Sequence, residues 1–253
     1  MRKFGLIGTS LKHSFSSGYF NNKFRSESIS SCSYDNFEIT TIDALVPLIK
    51  SLPELIGLNV TIPFKESVIP FLKELDEEAK NIGAVNTITI NPQDDQLHLK
   101  GFNTDAHAFR KSLAPLLNPS HSSAIILGTG GAGKAAGYAL RSMGLGVVYV
   151  SRNPEMVNMD NEVVISYSDL SQSRISKHLV VINSTPQGMC PNSDSCPEIP
   201  YEYLTTNHLL YDLIYNPAET LFLMKGKENG AKIKNGQEML ELQAELSWEI
   251  WNS

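Results

Sequence analysis

The sequence predicts an α/β protein with two domains, an N-terminal α/β domain and a Rossmann-like dinucleotide-binding domain. The chain has 253 residues, which at about 150 residues per domain corresponds to about 1.7 domains. In its second half, four runs that are apolar on both faces alternate with loops or helices, a pattern typical of a parallel sheet covered on both sides. A glycine-rich loop joins the first of these runs to a helix-forming segment.

The N-terminal part alternates short apolar runs with polar or helical segments, which predicts a βαβ-like arrangement. One amphipathic helix is predicted over residues 66–80, where apolar residues recur at helical spacing with acids between them. The other predictions are strands at 4–7, 36–40, 58–62, 84–90 and 96–102, a serine-rich loop at 9–17 and a turn at 91–95.

A composition shift at 118–123 separates these elements from the next strand. The segment 134–140 is helix-forming, and 237–251 has apolar residues spaced for one buried helix face. The four apolar runs predict strands at 124–127, 147–150, 178–182 and 209–213.

The charge and composition of the chain limit the classes of function that it can have. Lys and Arg number 21 and Asp and Glu 27, which gives a net charge of −6. This balance disfavours broad attraction to nucleic acid or anionic lipid, so an anionic ligand must be held by a local site. Hydrophobic residues at 42% and charged residues at 19% describe a globular chain rather than a disordered one.

The three cysteines, Cys32, Cys190 and Cys196, have no Cys-x-x-Cys spacing. They predict neither a disulfide framework nor a thiolate zinc site, and we expect no metal. The first apolar run is too short for a signal peptide, and no run approaches the roughly 18 apolar residues of a membrane span. We therefore expect a cytoplasmic protein whose partners are small molecules rather than nucleic acid or a membrane.

The glycine loop has the form Gly-x-Gly-x-x-Gly between a strand and a helix. In that context Gly128 makes the turn, Gly130 lets the backbone approach a pyrophosphate, and Gly133 allows close helix packing. The helix N-terminus directs N–H groups and a partial positive charge at the phosphates. A glycine turn without a ligand is the weaker interpretation, because glycines lower stability unless the space is needed.

Arg152 follows the next predicted strand, where NAD-binding proteins place an acidic residue on the ribose 2′-hydroxyl. A guanidinium instead pairs with a 2′-phosphate and stacks on adenine. The residue type favours NADP over NAD, with a plain surface arginine as the alternative. The next acid, Glu155, lies after Pro154 and too far past the strand to be the first choice for a 2′-hydroxyl partner.

Polar residues in the first domain stand at predicted strand ends and in loops, where sites usually lie. Ser14 and Ser16 are two residues apart, and Asn59 and Thr61 share one face of a strand by its period of two. These groups could bind a polyhydroxylated molecule.

Lys65 and Asn86 also stand at strand ends, and the segment 103–105 is Asn-Thr-Asp. These three residue types are good N-caps, so capping of a helix near Ala106 is an alternative to a role in a site.

Taken together, these motifs resemble the shikimate dehydrogenase family. They occur in the family's order and span nearly the whole chain, and the Asn-Val-Thr-x-Pro-x-Lys and Asn-Thr-Asp motifs are more specific than the glycine loop. The segments are 8–16, 59–65, 83–87, 101–105, 128–133 and 183–189.

The resemblance implies an enzyme of the pathway to aromatic amino acids that reversibly converts shikimate and NADP to 3-dehydroshikimate and NADPH. It implies a substrate-binding domain at 1–103, a linker helix and NADP domain at 104–236, and a segment at 237–253 that returns to the first domain. The chain would act as a monomer or a homodimer.

The resemblance also implies residue roles. Ser14 and Ser16 hold the substrate carboxylate with Tyr215 nearby, and Lys65 and Asp105 form the catalytic pair. The ring hydroxyls are held by Asn59, Thr61, Asn86, Asp105 and Gln243. The cofactor residues are Gly128, Gly130, Gly131, Ala132, Gly133, Arg152, Thr185, Leu213, Gly236 and Met239.

The chemistry fits these residue types. Oxidation of a secondary alcohol moves a hydride to carbon 4 of nicotinamide and a proton to a base. Lys65 suits the acid and base role, since an ammonium also stabilises negative oxygen. Asp105 would orient Lys65 and favour its charged form, whereas burial opposes that form.

The sequence departs from the family where Thr9 and Ser17 replace frequent prolines and Ser151 replaces a common asparagine. No second basic residue follows Arg152 closely, which bears on the strength of the NADP preference. The alternatives are a quinate or dual quinate/shikimate dehydrogenase that uses NAD, and a catalytically silent relative that senses a dinucleotide or a pathway metabolite. Retention of Lys65 and Asp105 argues against the silent relative.

Overall fold

The structure is a computed structural model and describes residues 1–12, 14–93, 96–159 and 161–253. His13 of the serine motif and Asp94 and Asp95 of the predicted turn lie outside the described residues. The chain forms two compact units: unit 1 is Met1–Thr104 with Gln243–Ser253, and unit 2 is Asp105–Leu242. The sequence placed the first boundary at 103/104 and the start of the returning segment at 237.

Helices account for much of both units, and the last one has the bounds that the sequence predicts. They are α1 (Phe15–Ser26), α2 (Leu45–Ser51), α3 (Phe64–Ser67), α4 (Glu77–Ile82), α5 (Thr104–Leu113), α6 (Gly131–Ser142), α7 (Gln172–Lys177), α8 (Leu221–Glu228) and α9 (Gln237–Trp251). In the described part of the chain, no helix has the length and apolarity that crossing a membrane requires.

The strands of unit 1 form one mixed sheet. They are β1 (Arg2–Gly8), β2 (Cys32–Glu38), β3 (Leu55–Val60), β4 (Glu74–Leu75), β5 (Thr87–Gln93) and β6 (Gln96–Phe102), in the order β2-β1-β3-β5-β6-β4. β1 pairs in parallel with β2 and β3, whereas β5 pairs antiparallel with β3 and β6. The βαβ-like prediction is thus right for the first three strands and wrong for β5 and β6.

The single helix predicted over 66–80 is also wrong. The segment forms α3, a 3₁₀ turn at Ile69–Phe71, β4 and α4. Pro70 has no N–H group and disfavours helical geometry at the residue before it, so a continuous helix is interrupted there. The backbone N–H groups of Lys73 and Asp76 then donate to the carbonyls of Leu99 and Gly101, at 2.9 Å each, which pairs this stretch with β6.

The strands of unit 2 form a second sheet in which every pair is parallel, as the apolar runs predict. They are β7 (Ser123–Leu127), β8 (Gly146–Ser151), β9 (Val163–Ser166), β10 (Val180–Asn183), β11 (Leu209–Asp212) and β12 (Lys232–Lys234), in the order β12-β11-β10-β7-β8-β9. β9 and β12 are short edge strands that the sequence analysis missed. The α/β class is confirmed.

The strand order reverses direction between β7 and β10. The chain runs from β7 outward through β8 and β9, and then returns to the other side of β7 for β10, β11 and β12. In such sheets, ligands bind outside the carboxyl ends of the strands at this switch point. The fold of unit 2 therefore directs attention to the loops after β7, β8, β10 and β11.

An aromatic cluster anchors the end of α9 in unit 1. Trp251 stacks on Phe4 with ring centroids 4.8 Å apart, and its Nε1 donates to the carbonyl of Ile88 at 3.0 Å. A side chain at Gly57 would collide with the indole of Trp251, so the glycine admits the ring against the sheet. This packing fixes the part of α9 that carries Gln243.

Candidate active site

The two serines of the first motif lie at the start of α1, where the sequence predicted loop as far as Ser17. Ser14 occupies the N-cap position in an extended conformation, and within the described chain its side chain makes no capping hydrogen bond. Ser16 is buried in the first turn. The first backbone N–H groups of a helix have no partner within it and favour an anion, so this turn and the two hydroxyls suit a carboxylate.

Tyr34 of β2 is a buried hydrogen-bond partner of Asn59. The Tyr34 hydroxyl donates to Asn59 Oδ1 at 2.8 Å. Burial raises the pKa of Tyr34, and a side-chain hydrogen bond with Ser16 opposes that rise. The phenol therefore stays protonated and serves as a donor inside unit 1.

The amide of Asn59 is engaged by protein groups. Its Nδ2 lies 3.2 Å from the Asn86 carbonyl, 3.2 Å from Thr87 Oγ1 and 3.0 Å from Ser247 Oγ. The side chain is 4% exposed. Because Nδ2 carries only two hydrogens, these three acceptors use its donor capacity, whereas Oδ1 accepts from Tyr34 with one of its two lone pairs.

Asn86 stands just before β5 and is bonded to Thr104, the first residue of α5. Thr104 N–H donates to Asn86 Oδ1 at 2.8 Å, and Asn86 Nδ2 donates to Thr104 Oγ1 at 2.8 Å. Thr87 Oγ1 also lies 3.2 Å from Asn86 Oδ1. Among the described residues Asn86 Nδ2 donates to Thr104 alone, so its second hydrogen is available to a ligand.

The helix α5 begins at Thr104 rather than near Ala106. Asn103 precedes it, and its Nδ2 donates to the Ala84 carbonyl at 2.9 Å. Asp105 follows Thr104 directly, is 5% exposed and belongs to unit 2. The hydrogen bonds of Asn103 and Thr104 thus hold the two residues that directly precede Asp105.

Thr61 lies on the turn between β3 and α3, and Lys65 lies within α3. The Thr61 N–H donates to the Ile7 carbonyl at 3.0 Å, and the Lys65 carbonyl accepts from the Val85 N–H at 2.7 Å. Both side chains are half-buried. The backbone of Lys65 is therefore held beside the segment that leads into Asn86.

Gln243 and Ser247 lie one turn apart on the part of α9 that belongs to unit 1. Gln243 is 8% exposed and Ser247 is fully buried. The Ser247 hydroxyl donates to the Gln243 carbonyl at 2.8 Å. Ser247 thus joins the helix that carries Gln243 to the amide of Asn59.

In unit 2 the glycine loop connects β7 to α6. Gly128 adopts φ +103°, a conformation that L side chains rarely adopt. A Cβ at Gly133 would lie 2.7 Å from the Gly128 carbonyl oxygen, so only glycine allows this close packing, whereas a Cβ at Gly130 would meet nothing within 4 Å. Gly131 and Ala132 begin α6 after the Gly130 N-cap.

Arg152 directly follows β8, the neighbour of β7. The Gly128 N–H donates to the Val150 carbonyl at 2.9 Å, which joins the glycine loop to the end of this strand. The Arg152 side chain is exposed. Arg152 thus follows the carboxyl end of a strand that pairs with β7.

A series of buried hydrogen bonds between polar side chains links the ends of β10 and β11. Asp212 accepts from Asn183 Nδ2 and the Ile214 N–H at 3.0 Å each and from the Thr220 hydroxyl at 2.5 Å. Asn183 Oδ1 in turn accepts from the Thr185 hydroxyl at 2.7 Å. Burial raises the pKa of Asp212 to about 6, and these hydrogen bonds oppose the rise.

The remaining predicted cofactor residues follow the same strand ends. The Leu213 N–H donates to the Asn183 carbonyl at 2.9 Å, and the Gly236 N–H donates to the Ile214 carbonyl at 3.0 Å. A side chain at Gly236 would collide with the Leu213 carbonyl. Leu213 and Gly236 are therefore brought together, with Tyr215 half-buried and Met239 7% exposed in the same unit.

The predicted residues divide between the units. Unit 1 holds Ser14, Ser16, Asn59, Thr61, Lys65, Asn86 and Gln243, and unit 2 holds Asp105, Tyr215 and all the predicted cofactor residues. The sequence analysis missed several residues that support them. Tyr34, Ser247 and Asp212 are buried polar residues in these networks. Of the three, only Ser247 could have been found from the sequence, because it lies four residues after Gln243 on the same predicted helix. In the described chain no cluster of His, Cys, Asp and Glu has the arrangement of a metal site.

These features define a dinucleotide-binding α/β protein. Unit 2 has a parallel sheet with a reversal of strand order and a glycine loop at that reversal. Unit 1 contributes buried amides and hydroxyls. The family model of the shikimate dehydrogenase substrate binding domain matches residues 6–88. An NADP-dependent shikimate dehydrogenase of Desulforamulus reducens is 38% identical, over 98% of this chain and 88% of its own.

Solved structures that resemble this chain are also shikimate dehydrogenases. Shikimate dehydrogenase 1 from Peptoclostridium difficile has a TM-score of 0.86 and 36% identity, with 100% of this chain and 92% of that chain covered. Shikimate 5-dehydrogenase from Thermus thermophilus, in complex with NADP(H) and shikimate, has a TM-score of 0.84 and 30% identity, with 99% and 93% covered. The chain belongs to the shikimate dehydrogenase family.

Proposed function

We propose that this protein catalyses the reversible, NADP-dependent oxidation of shikimate to 3-dehydroshikimate. The observation that carries the proposal is that the family relationship extends over nearly the whole chain. It includes the polar motifs of unit 1 as well as the glycine loop of unit 2.

Ser14 and Ser16 bind the substrate carboxylate in this proposal, together with Tyr215. The first turn of α1 supports it, since its N–H groups favour an anion and Ser14 is not engaged as a helix cap in the described chain. Ser16 is buried in this first turn.

Asn86, Thr61 and Gln243 bind the ring hydroxyls. The Asn86 amide is held on one side by Thr104 at 2.8 Å, so its remaining hydrogen has one orientation. Asn59 belongs to the same set of ring-hydroxyl ligands, and its side chain is held by hydrogen bonds to Ser247 and to the backbone carbonyl of Asn86. A substrate hydroxyl therefore meets oriented donors rather than mobile ones, which lowers the entropy lost on binding.

Lys65 exchanges the proton of the reacting hydroxyl. In the direction of oxidation its amine accepts this proton, and in the direction of reduction its ammonium returns a proton to the developing alkoxide. Asp105 orients the lysine and the hydroxyl.

The residues of unit 2 fit a dinucleotide. The open space at Gly130 admits a phosphate group close to the backbone, and the N-terminus of α6 favours its charge. Gly128–Gly133 would hold the pyrophosphate, Arg152 the 2′-phosphate, and Thr185, Leu213, Gly236 and Met239 the nicotinamide and its ribose. When bound, the cofactor supplies the hydride acceptor at carbon 4 of its nicotinamide.

Steady-state assays with shikimate and quinate, each with NADP and NAD, test the proposal. We expect the highest kcat/KM for shikimate with NADP, because Arg152 pairs with a 2′-phosphate that NAD lacks. A higher kcat/KM for quinate with NAD would overturn the proposed function in favour of a quinate dehydrogenase.

We also propose that the protein acts in the cytoplasm, as a monomer or a homodimer. All three cysteines lie in the described chain and are unpaired, which suits a reducing compartment. Sedimentation equilibrium of the purified protein distinguishes the two assembly states.

A further inference from the structure

We propose that Ser247 is a positioning residue for substrate binding, which acts through Asn86 and Gln243 without touching substrate. This inference rests on the proposed function and deepens it. No motif of the sequence includes Ser247, and the assignment comes from the hydrogen bonds of its hydroxyl.

The Ser247 hydroxyl lies among unit 1 residues that belong to four different elements. Its Oγ is 3.0 Å from Asn59 Nδ2 at the end of β3, 2.8 Å from Thr87 Oγ1 on β5, and 3.4 Å from Thr104 Oγ1 at the start of α5. It donates to the Gln243 carbonyl within α9 at 2.8 Å. The side chain is fully buried, so it cannot be a substrate ligand.

A serine hydroxyl has one hydrogen and two acceptor lone pairs. The hydrogen is donated to Gln243, so the oxygen serves as an acceptor for Asn59 and Thr87. Thr87 Oγ1 lies 2.8 Å from Ser247 but 3.2 Å from Asn86 Oδ1. Ser247 is thus the nearer partner of Thr87, and it influences how Thr87 interacts with Asn86.

Removal of this oxygen would leave an amide hydrogen of Asn59 and the hydroxyl of Thr87 without their acceptor. Buried donors seek new partners because an unmade bond is unfavourable in a low dielectric. The available acceptors are the carbonyl and Oδ1 of Asn86, so the rearrangement falls on Asn86. In the same variant Gln243 loses the bond to its carbonyl.

The test compares Ser247→Ala with the wild-type enzyme in steady-state assays with shikimate and NADP. We expect kcat/KM for shikimate to fall about 10-fold, mainly through a higher KM, with the KM for NADP changed less than about twofold. Ser247→Cys, which replaces the hydroxyl by a somewhat larger thiol that hydrogen-bonds weakly, should show a similar loss. Wild-type behaviour of both variants would overturn the inference.

Ser112→Ala is the matched control. Ser112 is also a buried helical serine that donates to a carbonyl of its own helix, that of Phe109 at 3.1 Å, and contacts one further hydroxyl, that of Tyr211 at 2.7 Å. We expect Ser112→Ala to lower the melting temperature to a similar degree while the KM for shikimate stays within about twofold of wild type. An equal rise in KM for both variants would mean that general destabilisation is responsible.

Double variants separate positioning from a merely structural role. If Ser247 acts through Asn86, Ser247→Ala added to Asn86→Ala should cost less than about twofold further in kcat/KM, since coupled residues are not additive. A full 10-fold further loss would overturn the inference. An inactive wild-type enzyme would overturn the proposed function and the inference together, whereas an active one with an unaffected Ser247→Ala variant overturns the inference alone.

Discussion

Asn86 and Thr104 hydrogen-bond each other in both directions. The Asn86 Oδ1 accepts from the Thr104 backbone N–H and its Nδ2 donates to Thr104 Oγ1, both at 2.8 Å. This pair joins the start of β5 to the start of α5. The orientation of a predicted substrate ligand and the start of the helix that carries Asp105 are therefore set by one contact.

Thr104→Val tests this contact because valine keeps the shape and removes the hydroxyl. We expect the free energy of unfolding to fall by about 1–2 kcal/mol, since Asn86 Nδ2 loses a buried acceptor, and the KM for shikimate to rise. Chemical denaturation and steady-state kinetics measure the two effects. Thr41→Val, at an exposed threonine of unit 1, is the control, and an unchanged KM in Thr104→Val would contradict the prediction.

Lys65→Ala tests proton exchange. We expect kcat to fall by about 100-fold or more with little change in KM, the pattern of a lost general acid and base. Lys73→Ala, at an exposed lysine of the same unit, should retain wild-type kinetics. Turnover that survives the Lys65 substitution nearly intact would refute the role of Lys65 in proton exchange.

Arg152→Ala tests cofactor choice. The guanidinium is exposed just after β8, and its loss should raise the KM for NADP about 10-fold or more while the KM for NAD changes little. Arg25→Ala, at an exposed arginine of unit 1, is the control. Equal effects on both cofactors would argue that Arg152 does not contact the 2′-phosphate.

Alanine variants of two glycines separate folding from binding in the glycine loop. Gly133→Ala places a Cβ 2.7 Å from the Gly128 carbonyl, so we expect a loss of about 1–3 kcal/mol in unfolding free energy. Gly130→Ala meets nothing within 4 Å and should keep its melting temperature while the KM for NADP rises about 10-fold. A Gly130→Ala variant with unchanged NADP affinity would remove this glycine from the site.

Acid should destabilise unit 2 through two histidines, His178 and His208, whose pKa values burial lowers below 6.5. His208 Nδ1 already faces the Thr205 N–H at 3.0 Å, so a second ring proton would oppose this bond. The unfolded chain binds more protons, and the stability contributed by the neutral rings is therefore present above about pH 6.5 and lost below it. His208→Gln should reduce the slope of unfolding free energy against pH between 7 and 5.5, by at most about 1.4 kcal/mol per pH unit.

Asp212 acts in the opposite sense. Its folded pKa of about 6 is raised from 3.8, so the folded state binds more protons in this window and is relieved of a buried charge as pH falls. Asp212→Asn should therefore steepen the loss of stability between pH 6.5 and 4.5. A shallower slope in this variant would contradict the assigned direction.

The local sequence pattern was sufficient to predict an element where the structure of that element depends mainly on its own residues. The parallel strands of unit 2 are apolar runs buried on both faces, and the bounds of α9 follow from the spacing of its apolar residues. The pattern failed over 66–80, because Pro70 and the pairing with β6 overrode helical spacing. The short strands β9 and β12 carry too few residues to show a period.

The sequence by itself predicts the residue types of the site, among them two serines, three amides, a lysine, a glycine loop and an arginine after a strand. Only the tertiary structure decided how they are held. Asn59 meets Tyr34 and Ser247, which lie 25 and 188 residues away along the chain, and no local pattern encodes such pairs. Buried polar groups must find partners because water cannot reach them, and which partners they find depends on the packing of α9 and β2 around the sheet.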